Sequence, residues 1–391
     1  MASITGRALV VGAGIAGMAT AVRLRRAGWE PTIVERFPDR RTGGYFIGLY
    51  KEGREAAQRL GVYDRLHTRT PKPVRTWEVG LSGNRTRSVG LLERPGSPDA
   101  VLRGDIEEAL WDALDGIAVR FGTTPVSIDE GPEAVVVGLR EHATGVVTDE
   151  TYDLVVGADG LRSTVRQLVF GAHDRFMKPM HRIICAFQLT EQVPDTSPRE
   201  GLVLAEPRRA LWVFPLEDMA PTALFTYQTD EVDAQFTRPP AEIVREVFGD
   251  LDGSPAVRHA LGELDRATEL LFDSVHQVEM PAWHTRRVLL TGDAAWCLTL
   301  YSGMGASLGL MGADVLGDML ERHPGDMLAA LEAWEKEMRP VVRRQQFAAR
   351  VKRHIFAPGN GLIGRIRSLL LRKAGKKAAA AESAALAAQS R

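Results

Sequence analysis

The segment from Arg7 to Glu35 constrains this chain more than any other. A short apolar run, Arg7 to Val11, leads straight into Gly12-Ala13-Gly14-Ile15-Ala16-Gly17, then into good helix formers from Met18 to Ala27, closed by Gly28. Pro31 to Glu35 reads as a second short strand with an acid at its end. A strand, a glycine turn, a helix and a second strand in this order predict the opening unit of a dinucleotide-binding α/β fold. The three glycines have separate tasks. Gly12 permits the tight turn out of the strand, Gly14 lets the backbone approach a pyrophosphate, and Gly17 lets the helix pack close to the strand. The helix N-terminus presents unpaired N–H groups and a favourable dipole to the phosphates. Glu35 stands where a carboxylate accepts hydrogen bonds from ribose hydroxyls.

Beyond this unit the chain alternates helical and strand-like stretches. Glu52 to Leu60, Gly104 to Leu114 and Gly305 to Leu320 read as helices. Val74 to Gly90 reads as a hairpin around Ser82-Gly83-Asn84. Val119 to Asp153 is strand-rich with turns at Gly131-Pro132 and Ala143-Thr144-Gly145, and runs within Arg182 to Thr229 suggest an antiparallel sheet. Leu154 to Ala158 and Val288 to Thr291 read as further buried strands. A length of 391 residues favours two joined domains over a single core. The fold class expected is therefore mixed α/β: a Rossmann-like domain interleaved with a β-sheet domain, followed by C-terminal helices.

Two further motifs end buried strands in small residues and an acid. The first is Gly157-Ala158-Asp159-Gly160, with Arg162 and Ser163 behind it. The second is Gly292-Asp293-Ala294-Ala295, followed by Gly303-Met304-Gly305-Ala306. In the second, the acid suits a polyol hydroxyl, and the next helix N-terminus suits the negative charge of a reduced flavin. Composition narrows the remaining classes. Lys and Arg total 49 against 50 acids, which gives no electrostatic reason to expect nucleic acid. Two isolated cysteines, Cys185 and Cys297, make neither a disulfide framework nor a zinc cluster, and the nine histidines show no ligand spacing. No secretory signal is legible in Met1 to Gly6, so a cytoplasmic location is expected.

The three motifs, in this order and with these separations, resemble the p-hydroxybenzoate hydroxylase-like, class A FAD-dependent monooxygenases. The resemblance spans Arg7 to Leu320. It assigns FAD contacts to Gly12, Ala13, Gly14, Ala16, Gly17, Glu35 and Arg36, and to Arg103, which opens the helix in Leu102-Arg103-Gly104. It adds Asp159 and Gly160, in the motif that touches both FAD and the nicotinamide cofactor, then Gly292 and Asp293 near the ribityl chain, and Gly303, Gly305 and Ala306 near the ring. It implies a cycle in which NADPH or NADH reduces FAD and a flavin C4a-hydroperoxide passes oxygen from O2 to an electron-rich substrate. No protein nucleophile is required. Residues 1–70, 100–175 and 280–335 are then the FAD-binding domain, 71–99 and 176–279 the substrate-binding domain, and 336–391 a C-terminal helical segment. Trp296 and Thr299 depart from the family, which often has His and Pro there.

The expected partner is an aromatic or polycyclic small molecule in a monomer or homodimer. Candidate pocket residues are Tyr45, Phe46, Trp212, Phe214, Phe225, Tyr227, Trp296, Tyr301 and Met304, with Trp296 and Tyr301 favoured because they flank the flavin motif; His181 and Arg182 are candidate polar partners. Residues 336–377 carry thirteen Lys or Arg and one acid, with Ile363, Ile366, Leu369 and Leu370 on one face. Two readings stay open for this stretch. In the favoured one the helix packs across both domains and leaves its charges in water, without membrane contact. In the other it lies on a membrane surface. Two alternative functions are a flavin-dependent halogenase and a non-oxygenating flavoprotein. Leu211-Trp212-Val213-Phe214-Pro215-Leu216 lacks the paired tryptophans and the isoleucine of the halogenase run.

Overall fold

The structure is a computed structural model that describes residues 6–40, 43–94, 96–267 and 269–389. Five parallel strands form one sheet, in the spatial order Val288–Leu290, Leu154–Gly157, Arg7–Val11, Glu30–Val34 and Ala118–Arg120. The central strands are apolar and buried along nearly their whole length, as a sheet covered on both faces requires. The chain leaves Arg7–Val11 toward Glu30–Val34 on one side and later returns to Leu154–Gly157 on the other. That reversal is the topological switch point, where a crevice opens beyond the carboxyl ends of the strands. All three motifs lie there: Gly12, Ala158-Asp159 and Gly292-Asp293 each follow the end of one of these strands.

Two helices pack together above this crevice, Ile15–Arg26 and Gly305–Arg322. Their contact is close because small residues face each other; a Cβ on Gly309 would sit 3.4 Å from that of Ala16. Gly28 follows the first helix at φ +84°, a conformation that favours glycine.

A second sheet has seven strands, in the order Leu270–Val278, Met177–Gln188, Met219–Gln228, Arg209–Leu216, Glu200–Glu206, Arg75–Val79 and Arg85–Ser88. Pro240–Phe248 and Pro255–Glu263 carry apolar residues into the core on one of its faces. The other face turns toward the crevice. A three-stranded meander, Thr123–Glu130, Val135–Glu141 and Val147–Tyr152, and a short pair, Phe46–Leu49 with Asp99–Leu102, complete the β structure among the described residues.

The chain ends in two long helices, Met327–Phe356 and Gly361–Gln389. The alanine-rich end of the second is helical, in keeping with the high helix propensity of alanine. The last helix departs from the favoured reading. Its buried positions include Arg367, Leu371 and Gly375, whereas Leu362, Ile366, Leu369 and Leu370 face solvent. The cause is an ion pair under the helix, between Arg367 and Glu78, together with Gly375, whose missing side chain lets the helix lie on the backbone at Arg87.

Candidate active site

Two adjoining cavities occupy the crevice, of about 530 Å³ and about 240 Å³. Gly14, Arg103, Ala158 and Gly160 line both and join them. The smaller is bordered by Gly12, Ala13, Glu35, Arg36 and Asp159. The larger is bordered by Ala16, Gly292, Asp293, Gly303, Gly305 and Ala306. Gly17 borders neither. A Cβ there would press on the carbonyl oxygen of Gly12, so Gly17 serves the helix–strand contact.

The local chemistry suits an elongated dinucleotide. Gly12 turns at φ +106°, and a Cβ on it would stand 2.6 Å from the carbonyl oxygen of Ala158. At Gly14, Gly160 and Gly305, by contrast, a Cβ would meet nothing within 4 Å, so bare backbone borders open space from one cavity to the other. Gly14 caps the first helix with no side-chain partner, leaving the amides of the first turn for a phosphate. Glu35 is fixed by the amides of Ala13 at 2.8 Å and Phe37 at 3.0 Å, which sets its carboxylate at the edge of the smaller cavity. Arg103 lies between the cavities, with its guanidinium 2.7 Å from Glu107. Asp293 borders the larger cavity deep in the molecule, and that burial pushes its carboxyl above the usual range. These residues fit FAD.

Asp159, at the border of the smaller cavity, is also held from within the chain. Its carboxylate accepts from the Ser163 hydroxyl at 2.5 Å and from the amides of Thr164 at 2.6 Å and Val165 at 3.1 Å. It caps the helix Thr164–Val169 and shapes the cavity edge through that loop. Burial raises its pKa, and these hydrogen bonds act in the opposite sense.

The family model described as an FAD binding domain matches residues 6–345. The chain belongs to this family of FAD-dependent monooxygenases. A flavin-dependent monooxygenase from an unknown prokaryotic organism is 26% identical over 348 residues, covering 86% of each chain. Two solved structures share the fold. The tetracycline destructase Tet(51) has a TM-score of 0.76 at 24% identity, covering 96% of this chain and 97% of its own. HpxO of Klebsiella pneumoniae, solved with FAD and uric acid, has a TM-score of 0.79 at 21% identity, covering 94% and 92%.

In this monooxygenase the wall of the larger cavity comes from one face of the seven-stranded sheet. Trp212 and Phe214 point into it, with Ile184, Ala186, Thr222 and Leu224 from neighbouring strands. Phe46 stacks on Phe214, with centroids 4.5 Å apart and an interplanar angle of 7°. Tyr45 and Tyr301 also border the cavity, and Tyr301 shares a 2.7 Å hydrogen bond with Thr226.

The other pocket candidates lie elsewhere. Phe225 and Tyr227 alternate with Leu224 and Thr226, so they point to the opposite face and pack on Phe248. Trp296 turns inward to Trp283 and Trp334, at 4.6 and 5.7 Å. Met304 is buried in the same core. The departure at Trp296 is therefore a matter of packing, while Thr299 does line the cavity, at φ +75°. His181 is exposed at an irregularity of its strand. Arg182 lies behind Tyr301, 5.9 Å over its ring, and donates to the carbonyl of Ala357 at 3.0 Å.

Sequence reasoning missed Tyr50, Arg94, His276, Lys352, Ile355 and Phe356, all of which border the larger cavity. Burial pushes the Tyr50 hydroxyl up to about 12 and the His276 imidazole down. Tyr50 lies close to the aromatic pair Tyr45-Phe46, and Lys352, Ile355 and Phe356 fall inside the basic stretch 336–377, where the sequence marked charge and not a cavity.

Proposed function

We propose that this monooxygenase acts on a flat aromatic or polycyclic small molecule, with NADPH or NADH as electron donor and O2 as oxygen source. The observation that carries this reading is the larger cavity itself. Its flavin-motif side, at Gly292-Asp293 and Gly303–Ala306, faces the same void as the aromatic side formed by Phe46, Trp212 and Phe214. Trp212 and Phe214 lie nearly parallel, at 14°, so the aromatic side offers a slot for a planar ring. The ligands named with the two solved relatives, uric acid and tetracycline, are ring compounds as well.

Bound FAD supplies the redox chemistry, taking two electrons from NAD(P)H and activating O2. One oxygen atom enters the substrate and the other leaves as water. The chain's own residues bind and orient. The amides at the start of the 18-residue helix Gly305–Arg322 favour negative charge on the flavin ring. The slot of Phe46, Trp212 and Phe214 aligns the substrate ring and excludes water from the reacting face.

The test is NAD(P)H oxidation and O2 uptake by the FAD-loaded protein, with and without phenols, naphthols and polycyclic phenols, and 18O2 labelling of any product. Substrate-stimulated consumption with one labelled oxygen in the product is expected. No stimulation by any ring compound would overturn the substrate assignment.

A further inference from the structure

We propose that Lys352 and Arg94 form an anion-recognition corner of the larger cavity, which selects flat substrates bearing an ionised oxygen group. This rests on reading that cavity as the substrate site. Lys352 comes from the long helix Met327–Phe356, and Arg94 from the segment that leads into the strand Asp99–Leu102. Both side chains border the cavity. The Lys352 ammonium donates to the carbonyl of Ser302 at 3.2 Å, which fixes it beside the flavin-motif loop. Tyr50 reaches the same place, since a Cβ on Gly303 would stand 3.2 Å from its hydroxyl. Lys352 and Tyr50 thus place two donors beside Ser302-Gly303, and Arg94 borders the same cavity.

Among the described residues neither Lys352 nor Arg94 has an acidic side chain within 4.0 Å. Asp273, which also borders the cavity, is held by Arg162 through two hydrogen bonds of 3.0 and 2.7 Å. The sheet side of the cavity contributes Ile184, Ala186, Trp212, Phe214 and Leu224, all without charge. Burial lowers the Lys352 pKa, and the positive charge of Arg94 lowers it further, as expected for a half-buried cation near a second, more exposed one. An anionic oxygen placed between them relieves that repulsion and gains charge-assisted hydrogen bonds. A Lys352 that served only to tether Ser302 would have no reason to face a second unbalanced cation.

The test uses calorimetry on the FAD-loaded protein, with 2-naphthoate and its neutral isostere 2-naphthamide. The parent protein is expected to bind 2-naphthoate about 10- to 100-fold more tightly than the amide. Lys352→Met is expected to remove most of that ratio by weakening the acid far more than the amide, and Lys352→Arg to restore much of it. An unchanged ratio in Lys352→Met, or equal binding of acid and amide by the parent protein, would overturn the anion corner and leave the aromatic cavity standing. Binding of neither compound would remove the aromatic reading of the cavity, and this proposal with it.

Discussion

Arg367 and Glu78 meet as a buried ion pair 2.7 Å apart, although 289 positions separate them in the chain. The pair holds the last helix against the outer strands of the seven-stranded sheet and turns its leucines outward. Ser368 donates to the same carboxylate oxygen at 2.9 Å, so the carboxylate is a hub rather than half of a simple pair. Removing one partner strands a charge in a dry setting. Arg367→Met is expected to cost roughly 3–5 kcal/mol in urea unfolding, and a Glu78→Met, Arg367→Met double variant to recover most of it. A single variant as stable as the parent would show that the helix is held by something else.

The glycines at 14 and 17 stand three residues apart on one turn yet should fail differently. Gly17→Ala drives a methyl into the Gly12 carbonyl and is expected to destabilise the fold by about 1–3 kcal/mol. Gly14→Ala places a methyl in open space at an extended backbone conformation, so the melting temperature without cofactor should hold. FAD affinity should fall at least about tenfold, because the methyl occupies the approach of the pyrophosphate. Thermal melts of the apoprotein and flavin content by absorbance separate the two.

Trp296 gives a prediction opposite to the one its sequence position suggests. It is packed among Trp283 and Trp334. Trp296→Ala is therefore expected to cost about 3–5 kcal/mol of stability. Trp296→Phe should leave the flavin spectrum and reduction potential unchanged. A shifted potential in the phenylalanine variant would place this side chain next to the ring after all.

The pH dependence of Lys352 has a definite sign. Its folded pKa lies below the free value of 10.5, so between the two the unfolded chain binds more protons, and stability should rise with pH across that window. Binding of 2-naphthoate should move the other way, weakening as pH rises through the depressed pKa. Tyr50, at about 12, stays protonated over this range. Lys352→Arg should flatten the binding profile, and a parent profile that stays flat all the way to the free value of 10.5 would contradict the assignment.

The part of the molecule that the sequence declared openly is the part built from neighbours in the chain. Gly12, Gly14 and Gly17 with Glu35 form one local unit, and the later motifs each end a strand of the same sheet. The strand-like runs within Arg182 to Thr229 do form antiparallel strands, Arg209–Leu216 and Met219–Gln228 among them, but the pattern could not say which parity faced the cavity. Both faces of that sheet are apolar, so Trp212 and Phe225 look alike until the helices Pro240–Phe248 and Pro255–Glu263 are seen to cover one side. Asp159 has a second task that was visible locally: Ser163-Thr164 follows it at the spacing at which its carboxylate meets the start of the next helix. Lys352 carried no signal, being one of many basic residues on a long helix whose docking is decided by distant contacts.

The helix Met327–Phe356 is anchored at its near end by Trp334, which donates to the carbonyl of Gly312 at 2.9 Å in the core beneath the flavin-motif helix. Its far end supplies Lys352, Ile355 and Phe356 to the cavity. Lys352 therefore sits on a stretch of polypeptide separable from the flavin motifs. A chimera exchanged after Trp334 would replace that cation while keeping the flavin motifs, Arg94 and the aromatic wall.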